Sequence, residues 1–305
     1  MRDDLAIFGG SGSCKLATKI CEDLDIHLGK SQLIRFSEGT LYVQIDENIK
    51  WKHVFVVQST ANPVNDNFME LLFMLDACKR ANAKTITAIV PYFSYAKGDK
   101  MDGLQVSVRA RVCADAIEAA GADRLIFLDL HTQQIQGFFS IPIENLHALH
   151  VLCQALKEKK AEDPVIVSPD IGFIKQARMY SKALGCPLAV VDKERVDHNE
   201  NPIALNIFGD VKGKKAIIVD DFIASGGTLC NAAEKLIEAG AKSVWAAITH
   251  GLFTKNSEEK VENSQIEKVI VTDSIDTNLK QFGKKISFVS VAHLFGETIK
   301  SFHNQ

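Results

Sequence analysis

The stretch of greatest chemical promise runs from residue 217 to 228 and reads Ile-Ile-Val-Asp-Asp-Phe-Ile-Ala-Ser-Gly-Gly-Thr. Its apolar start reads as a buried strand, which holds whatever follows in a fixed place. Gly226 and Gly227 let the backbone turn tightly and aim N–H groups at one point. Ser225 and Thr228 add hydroxyl donors, and the helical pattern beyond them offers its positive end to an anion. Asp220 and Asp221 fall at the strand's end beside that anion site. They suit hydrogen bonds from sugar hydroxyls, and a magnesium ion could bridge them. The bland alternative is an ordinary strand–turn–helix with an acidic pair and a Ser/Thr cap. The pair followed by Ser-Gly-Gly-Thr favours the phosphate-and-sugar reading.

Two other glycine-containing stretches are weaker. Gly9-Gly10-Ser11-Gly12-Ser13 follows an apolar run, but the third fingerprint position of a dinucleotide-binding loop holds Lys15 instead of glycine. Gly29-Lys30-Ser31 would need a glycine at 24 to form a nucleotide P-loop, and Leu24 stands there.

The positioning elements follow from the apolar pattern. Strands are expected over 5–8, 54–58, 85–90, 125–128, 165–167, 188–191, 216–219, 244–248, 269–272 and 286–291. Helices are expected over 14–24, 65–80, 110–120, 172–184 and 229–239. Strands alternating with helices predict an α/β fold with mainly parallel sheets and helices on both faces. An internal echo supports duplication: Ile-Glu-Ala-Ala-Gly-Ala at 117–122 leads through a strand to His131, and Ile-Glu-Ala-Gly-Ala at 237–241 leads through another to His250. From Val90 to Gly121 the chain runs 31 positions, but from Val219 to Gly240 only 21. The extra residues fall within 91–109, a polar insertion that reads as a loop at a binding site. The expected domains are 1–145 and 146–289, with a final helix at about 290–305 returning to the first.

Composition narrows the class. The chain has 305 residues, ample for two cores, and Lys+Arg 35 against Asp+Glu 38 gives a net charge of -3. That balance argues against a general nucleic-acid or membrane binder. Seven cysteines without a Cys-x-x-Cys pair predict neither a disulfide framework nor a zinc site. The Met-Arg-Asp-Asp start is unlike a secretory leader, and no apolar run reaches the ~20 residues of a membrane span. A cytoplasmic location is expected.

Six ordered segments then carry a resemblance. Residues 91–100 read Pro-Tyr-Phe-Ser-Tyr-Ala-Lys-Gly-Asp-Lys, and 129–139 read Asp-Leu-His-Thr-Gln-Gln-Ile-Gln-Gly-Phe-Phe. Ser168-Pro169-Asp170, Lys193-Glu194-Arg195, the helix start Asn65-Asp66-Asn67 with Met69-Glu70-Leu71-Leu72, and the 220–228 loop complete the set. Together they resemble the ribose-phosphate pyrophosphokinase family along nearly the whole chain. The resemblance implies two tandem phosphoribosyltransferase-type domains. It also implies transfer of the diphosphoryl group of Mg-ATP to the 1-hydroxyl of ribose 5-phosphate, giving AMP and phosphoribosyl pyrophosphate for nucleotide biosynthesis.

The same resemblance implies the site. Lys193 and Arg195 are catalytic, although alone they read as a solvated charge run. His131 and Asp170 hold the magnesium of the nucleotide, although alone they read as a strand cap and a helix start. Asp220, Asp221, Ser225, Gly226, Gly227 and Thr228 bind ribose 5-phosphate. Phe36, Glu38, Lys97, Asp99 and Lys100 bind ATP, and Phe36 read alone is equally a core residue. A homo-oligomer is implied, built on dimers and extending to a hexamer, because the Phe36 loop in this family reaches a neighbouring subunit. The chain departs from the family pattern at several places. Ala224 replaces an acidic residue, Ser225 a threonine, Thr40 a glutamate and Gln105 an arginine. Lys97-Gly98 replaces Arg-Gln, and Phe173 stands where a second glycine is usual. These departures keep open a non-catalytic paralogue that binds nucleotide or partner subunits.

Overall fold

The computed structural model describes residues 4–194, 204–254, 256–277 and 282–303. It divides into two compact units. The first contains Met1–His147, Ser274–Asp276 and Val291–Gln305; the second contains Ala148–Asp273 and Thr277–Ser290.

The first unit is built on a parallel sheet of β1 (Leu5–Gly9), β4 (His53–Val57), β5 (Thr85–Val90), β6 (Arg124–Leu128) and β7 (Ile143–Leu146), in that order. Its central strands are almost continuously apolar and buried, as strands covered on both faces must be. Helices α1 (Cys14–Leu24), α2 (Val64–Arg80) and α3 (Arg109–Ala120) follow the strands that position them. α1 buries Leu16, Ala17, Ile20, Cys21 and Leu24, one face of a 3.6-residue repeat. A separate antiparallel hairpin, β2 (Ser31–Arg35) with β3 (Leu41–Ile45), packs Val43 and Ile45 against the core. The last helix, which we label α8 (Ala292–His303), is tied to α1 by His293 Nδ1 and Asp23 Oδ1 at 2.9 Å.

The second unit carries seven strands in the order β10 (Ala204–Phe208), β9 (Leu188–Glu194), β8 (Pro164–Ser168), β11 (Lys215–Ile223), β12 (Ser243–Gly251), β13 (Ile266–Thr272), β14 (Ile286–Val289). All pairings are parallel except β10 with β9. Its helices are α4 (Leu149–Glu158), α5 (Ile174–Leu184), α6 (Gly227–Glu238) and the short α7 (Ser257–Glu262).

Every expected strand and helix is present, 85–90 and 14–24 with the expected bounds and the others with shifted ends. The hairpin, β7, β10, α4 and α7 were not anticipated. The helix expected from 172 starts instead at Ile174, because Asp170 Oδ1 accepts the Phe173 N–H at 3.1 Å and holds a turn there. The internal echo is structural. Gly121 and Gly240 both take left-handed angles, φ +117° and +90°. The Ala122 N–H then bonds Ile117 O, and the Ala241 N–H bonds Leu236 O, the same helix-ending motif twice.

Candidate active site

In the second unit the chain leaves β8 toward β9 and β10, then crosses to the other side of β8 as β11. The order therefore reverses between β8 and β11, and ligands of open parallel sheets bind beyond the strand carboxyl ends at such a reversal. β8 stops at Ser168 because Pro169 has no N–H to continue the ladder. β11 does not stop with it. Its pairing to β8 ends at Ile218, whereas its pairing to β12 runs on to Ile223. Asp220 and Asp221 thus extend past the end of β8, at the lip of the opening.

Asp170 lies on the same lip. Ser168 Oγ donates to Asp170 O at 2.7 Å, fixing the turn after β8. Asp221 N–H donates to Asp220 Oδ1 at 2.9 Å. Burial pushes the Asp220 carboxyl well above its usual range, and the negative charges of Asp221 and Asp170 push it further. Acidic groups gathered without a cation raise one another's affinity for a proton, and equally for a metal. On β9 the backbone of Lys193 lies three positions beyond Val190, the partner of Ser168, at this same sheet end. Arg195 falls outside the described residues.

The anion loop follows β11. Gly226 has φ +73°, a left-handed turn that brings the chain directly into α6 at Gly227. The N-cap of α6, Gly226, brings no side chain to its first turn and no acidic residue lies in that turn, so its positive end suits an anion. Ser225 and Thr228 are exposed beside it. Thr254 N–H donates to Ala224 O at 3.1 Å, which holds the loop backbone whatever side chain stands at 224.

In the first unit the expected nucleotide segments meet through Asp99. Its Oδ2 accepts Thr132 Oγ1 at 2.9 Å and Gln134 Nε2 at 3.0 Å, tying the loop after β5 to the loop after β6. Asp99 therefore acts at least as a brace for the His131 loop. His131 is exposed and follows Asp129, whose φ of +43° is uncommon for a residue with a side chain. Asp129 Oδ1 meets His147 Nδ1 at 2.8 Å, and that bond raises the His147 pKa. Lys97 and Lys100 are exposed, with Lys100 Nζ 3.8 Å from Asp102 Oδ1.

Phe36 begins the hairpin turn and is 46% exposed, so it is not a core residue. Gly39 completes that turn at φ +93°. Thr40, the substituted position, uses its hydroxyl to hold Glu38 Oε1 at 2.7 Å, and this bond lowers the Glu38 pKa. Arg35 Nη2 anchors the hairpin to Asp66 Oδ2 on α2 at 2.5 Å.

The glycine loop at 9–13 is already filled by the protein. Ser11 N–H donates to Glu70 Oε1 and Gly12 N–H to Gln58 Oε1, each at 2.9 Å. At the start of α1, Lys15 N–H donates to Asp276 Oδ2 at 2.7 Å and Leu16 N–H to Asp276 Oδ1 at 3.3 Å. Internal carboxylates thus hold the places an outside phosphate would take, which is the physical reason the dinucleotide reading fails. Sequence reasoning did not foresee these partners, although Asn67 and Glu70 on the mainly apolar buried face of α2 were a signal.

The fold and the sheet-end loops define an α/β enzyme of two tandem phosphoribosyltransferase-type domains. The family model for the N-terminal domain of ribose phosphate pyrophosphokinase matches residues 5–121, and that for the phosphoribosyl synthetase-associated domain matches 197–305. Ribose-phosphate pyrophosphokinase of Vibrio cholerae is 43% identical over 99% of this chain and 97% of its own length. The Agrobacterium fabrum protein of the same name is 45% identical over 97% of this chain and 96% of its own. The crystal structure of phosphoribosylpyrophosphate synthetase from Mycobacterium smegmatis superposes with a TM-score of 0.93 at 37% identity, covering 99% of this chain and 100% of that one. The chain belongs to the ribose-phosphate pyrophosphokinase family. None of these findings favours a non-catalytic paralogue.

Proposed function

We propose that this chain transfers the β,γ-diphosphoryl group of Mg-ATP to the 1-hydroxyl of ribose 5-phosphate. The observation that carries the proposal is the acidic lip and uncapped helix start at the β8–β11 reversal, a sugar site and a phosphate site side by side. The uncapped start of α6, with Ser225, Gly226, Gly227 and Thr228, holds the 5-phosphate. Asp220 and Asp221 accept the ribose hydroxyls and orient the sugar. The 1-hydroxyl gives up its proton to solvent as its oxygen attacks the β-phosphorus, the bond from that phosphorus to the α-bridging oxygen breaks, and AMP leaves. Lys193 and Arg195 offset charge on the transferred oxygens. Phe36, Glu38, Lys97, Asp99 and Lys100 place the nucleotide.

The oxygen-rich acidic cluster of Asp220, Asp221 and Asp170 fits a hard divalent cation, and the family resemblance assigns the magnesium of the nucleotide to Asp170 and His131. Magnesium, when bound, neutralises phosphate charge. The protein is cytoplasmic on this reading, and no described helix is long and apolar enough to cross a membrane. The exposed Leu33, Ile34, Phe36 and Tyr42 of the hairpin, beside exposed Met69 and Phe73 of α2, suit cover by a second copy, so a homo-oligomer is part of the proposal.

A coupled assay for AMP release that depends on ribose 5-phosphate tests the function. Two variants test its parts. His131→Ala with Asp170→Ala is expected to weaken ATP binding much more in magnesium than in EDTA; equal weakening by calorimetry would make both residues structural. Ala224→Asp with Ser225→Thr is expected to lower KM for ribose 5-phosphate. One added hydrogen bond to a charged group is worth ~1.5–3 kcal/mol, or roughly 10- to 150-fold. Because Thr254 already fixes the backbone, the gain appears without a change in fold. An unchanged or higher KM would show that the site has compensated elsewhere.

A further inference from the structure

Gly98 sits buried in the short helical turn Ser94–Gly98, within the segment expected to bind ATP. The space over it is occupied by Arg109. A Cβ at position 98 would lie 2.5 Å from Arg109 Nε, 2.9 Å from its Cβ and 3.2 Å from its Cζ. The missing side chain at 98 is therefore what lets this guanidinium lie against the turn.

Arg111 pairs with Asp115 at 2.6 Å, but the Arg109 side chain makes no hydrogen bond or ion pair among the described residues. Arg109 is the first residue of α3, where the helix dipole disfavours a cation, and no acidic residue lies in that first turn. Lys97 and Lys100 border the same turn. Asp99, the residue after Gly98, is the nearest acidic group in the chain, but its Oδ2 is engaged by Thr132 and Gln134, which leaves the guanidinium at this positive helix end to an outside anion. The family pattern has arginines where Lys97 and Gln105 stand here, so the segment has two fewer guanidinium groups at those positions. Arg109 returns one, with the fork geometry that lysine lacks.

We propose that Arg109 is an additional contact to the phosphates of ATP, admitted to the site by Gly98. This rests on the reading of residues 97–100 as part of the nucleotide site. The competing role is packing, with the Arg109 stem merely covering Gly98.

Steady-state kinetics of the full-length protein separate the two. Arg109→Met keeps a stem of similar length without the charge. It is expected to raise KM for Mg-ATP roughly ten- to hundredfold, with KM for ribose 5-phosphate unchanged. Arg109→Lys should recover part of that loss. Gly98→Ala should displace the guanidinium and raise KM for Mg-ATP likewise, and the Gly98→Ala/Arg109→Met double variant should be no worse than the Met variant. A folded Arg109→Met protein with an unchanged KM for Mg-ATP overturns the assignment, as does an equal rise in both KM values. If the unaltered protein releases no AMP, the diphosphokinase reading fails instead. Calorimetry with Mg-ATP then decides the role of Arg109, and an affinity equal in the two proteins overturns it.

Discussion

Changing Asp220 and Asp221 together to Asn is expected to abolish ribose 5-phosphate turnover while leaving the protein folded and slightly more stable near neutral pH. The two effects have one cause. On the proposed function each carboxylate accepts a sugar hydroxyl, and a hydrogen bond to a charged acceptor is worth ~1.5–3 kcal/mol. Losing both costs roughly 10²- to 10⁴-fold in sugar affinity if the terms add. Without ligand, the same charges are a burden. Asp220 is half-buried near the like charges of Asp221 and Asp170, and desolvation with that repulsion raises its pKa. The folded chain thus holds this proton more tightly than the unfolded chain. The stability it contributes is present at low pH and declines as pH rises from the ordinary carboxylate range through the raised value. Asparagine at 220 keeps an oxygen for the Asp221 N–H and removes the titration. Asp220→Asn alone should therefore raise Tm, and the gain over the unaltered protein should grow with pH across that window. A Tm difference that is flat or shrinks with pH contradicts the electrostatic account. Unchanged calorimetric affinity for ribose 5-phosphate in the folded double variant contradicts the site.

The second large effect is expected at Lys193. Its backbone lies at the carboxyl end of β9, next to β8 and on the sheet end that carries Asp170 and Asp220. Charge spreads over the transferred phosphoryl oxygens as the bond to AMP breaks, and a fixed cation lowers that barrier most when water is excluded. Lys193→Met should lower kcat by roughly 10²- to 10³-fold, the scale for removing one group that stabilises developing charge. Both KM values should change little, because the interaction is strongest in the transition state. A variant that keeps its kcat and instead loses substrate affinity would make Lys193 a binding residue only.

What was legible in the sequence, and what was not, follows from range. The central strands could be read because parallel strands covered on both faces contain unbroken apolar runs, as residues 54–57 and 216–219 show. The anion loop could be read because its parts are adjacent in the chain. The β2–β3 hairpin could not, since most of β2 faces outward and its apolar residues do not alternate cleanly. Functions that depend on distant partners were also hidden. Asp99 braces Thr132 and Gln134 across a loop and a helix. Glu70 and Asp276 occupy the 9–13 loop and the start of α1 from 59 and 261 residues away. Gly98 read as the loss of a glutamine, whereas the structure shows a place taken by Arg109. Residue types at fixed spacing announce a motif, but only topology shows which motif is already satisfied from within.

The central claim is that the bond broken in ATP lies between the α-bridging oxygen and the β-phosphorus, with ribose 5-phosphate as acceptor. Phosphorus-31 NMR of the unaltered protein with magnesium, ATP and ribose 5-phosphate measures this directly. AMP and a pyrophosphate ester on the sugar should appear in equal amounts, and neither should form when ribose 5-phosphate or magnesium is withheld. ADP with a singly phosphorylated acceptor, or ATP left intact in the complete mixture, would contradict the account.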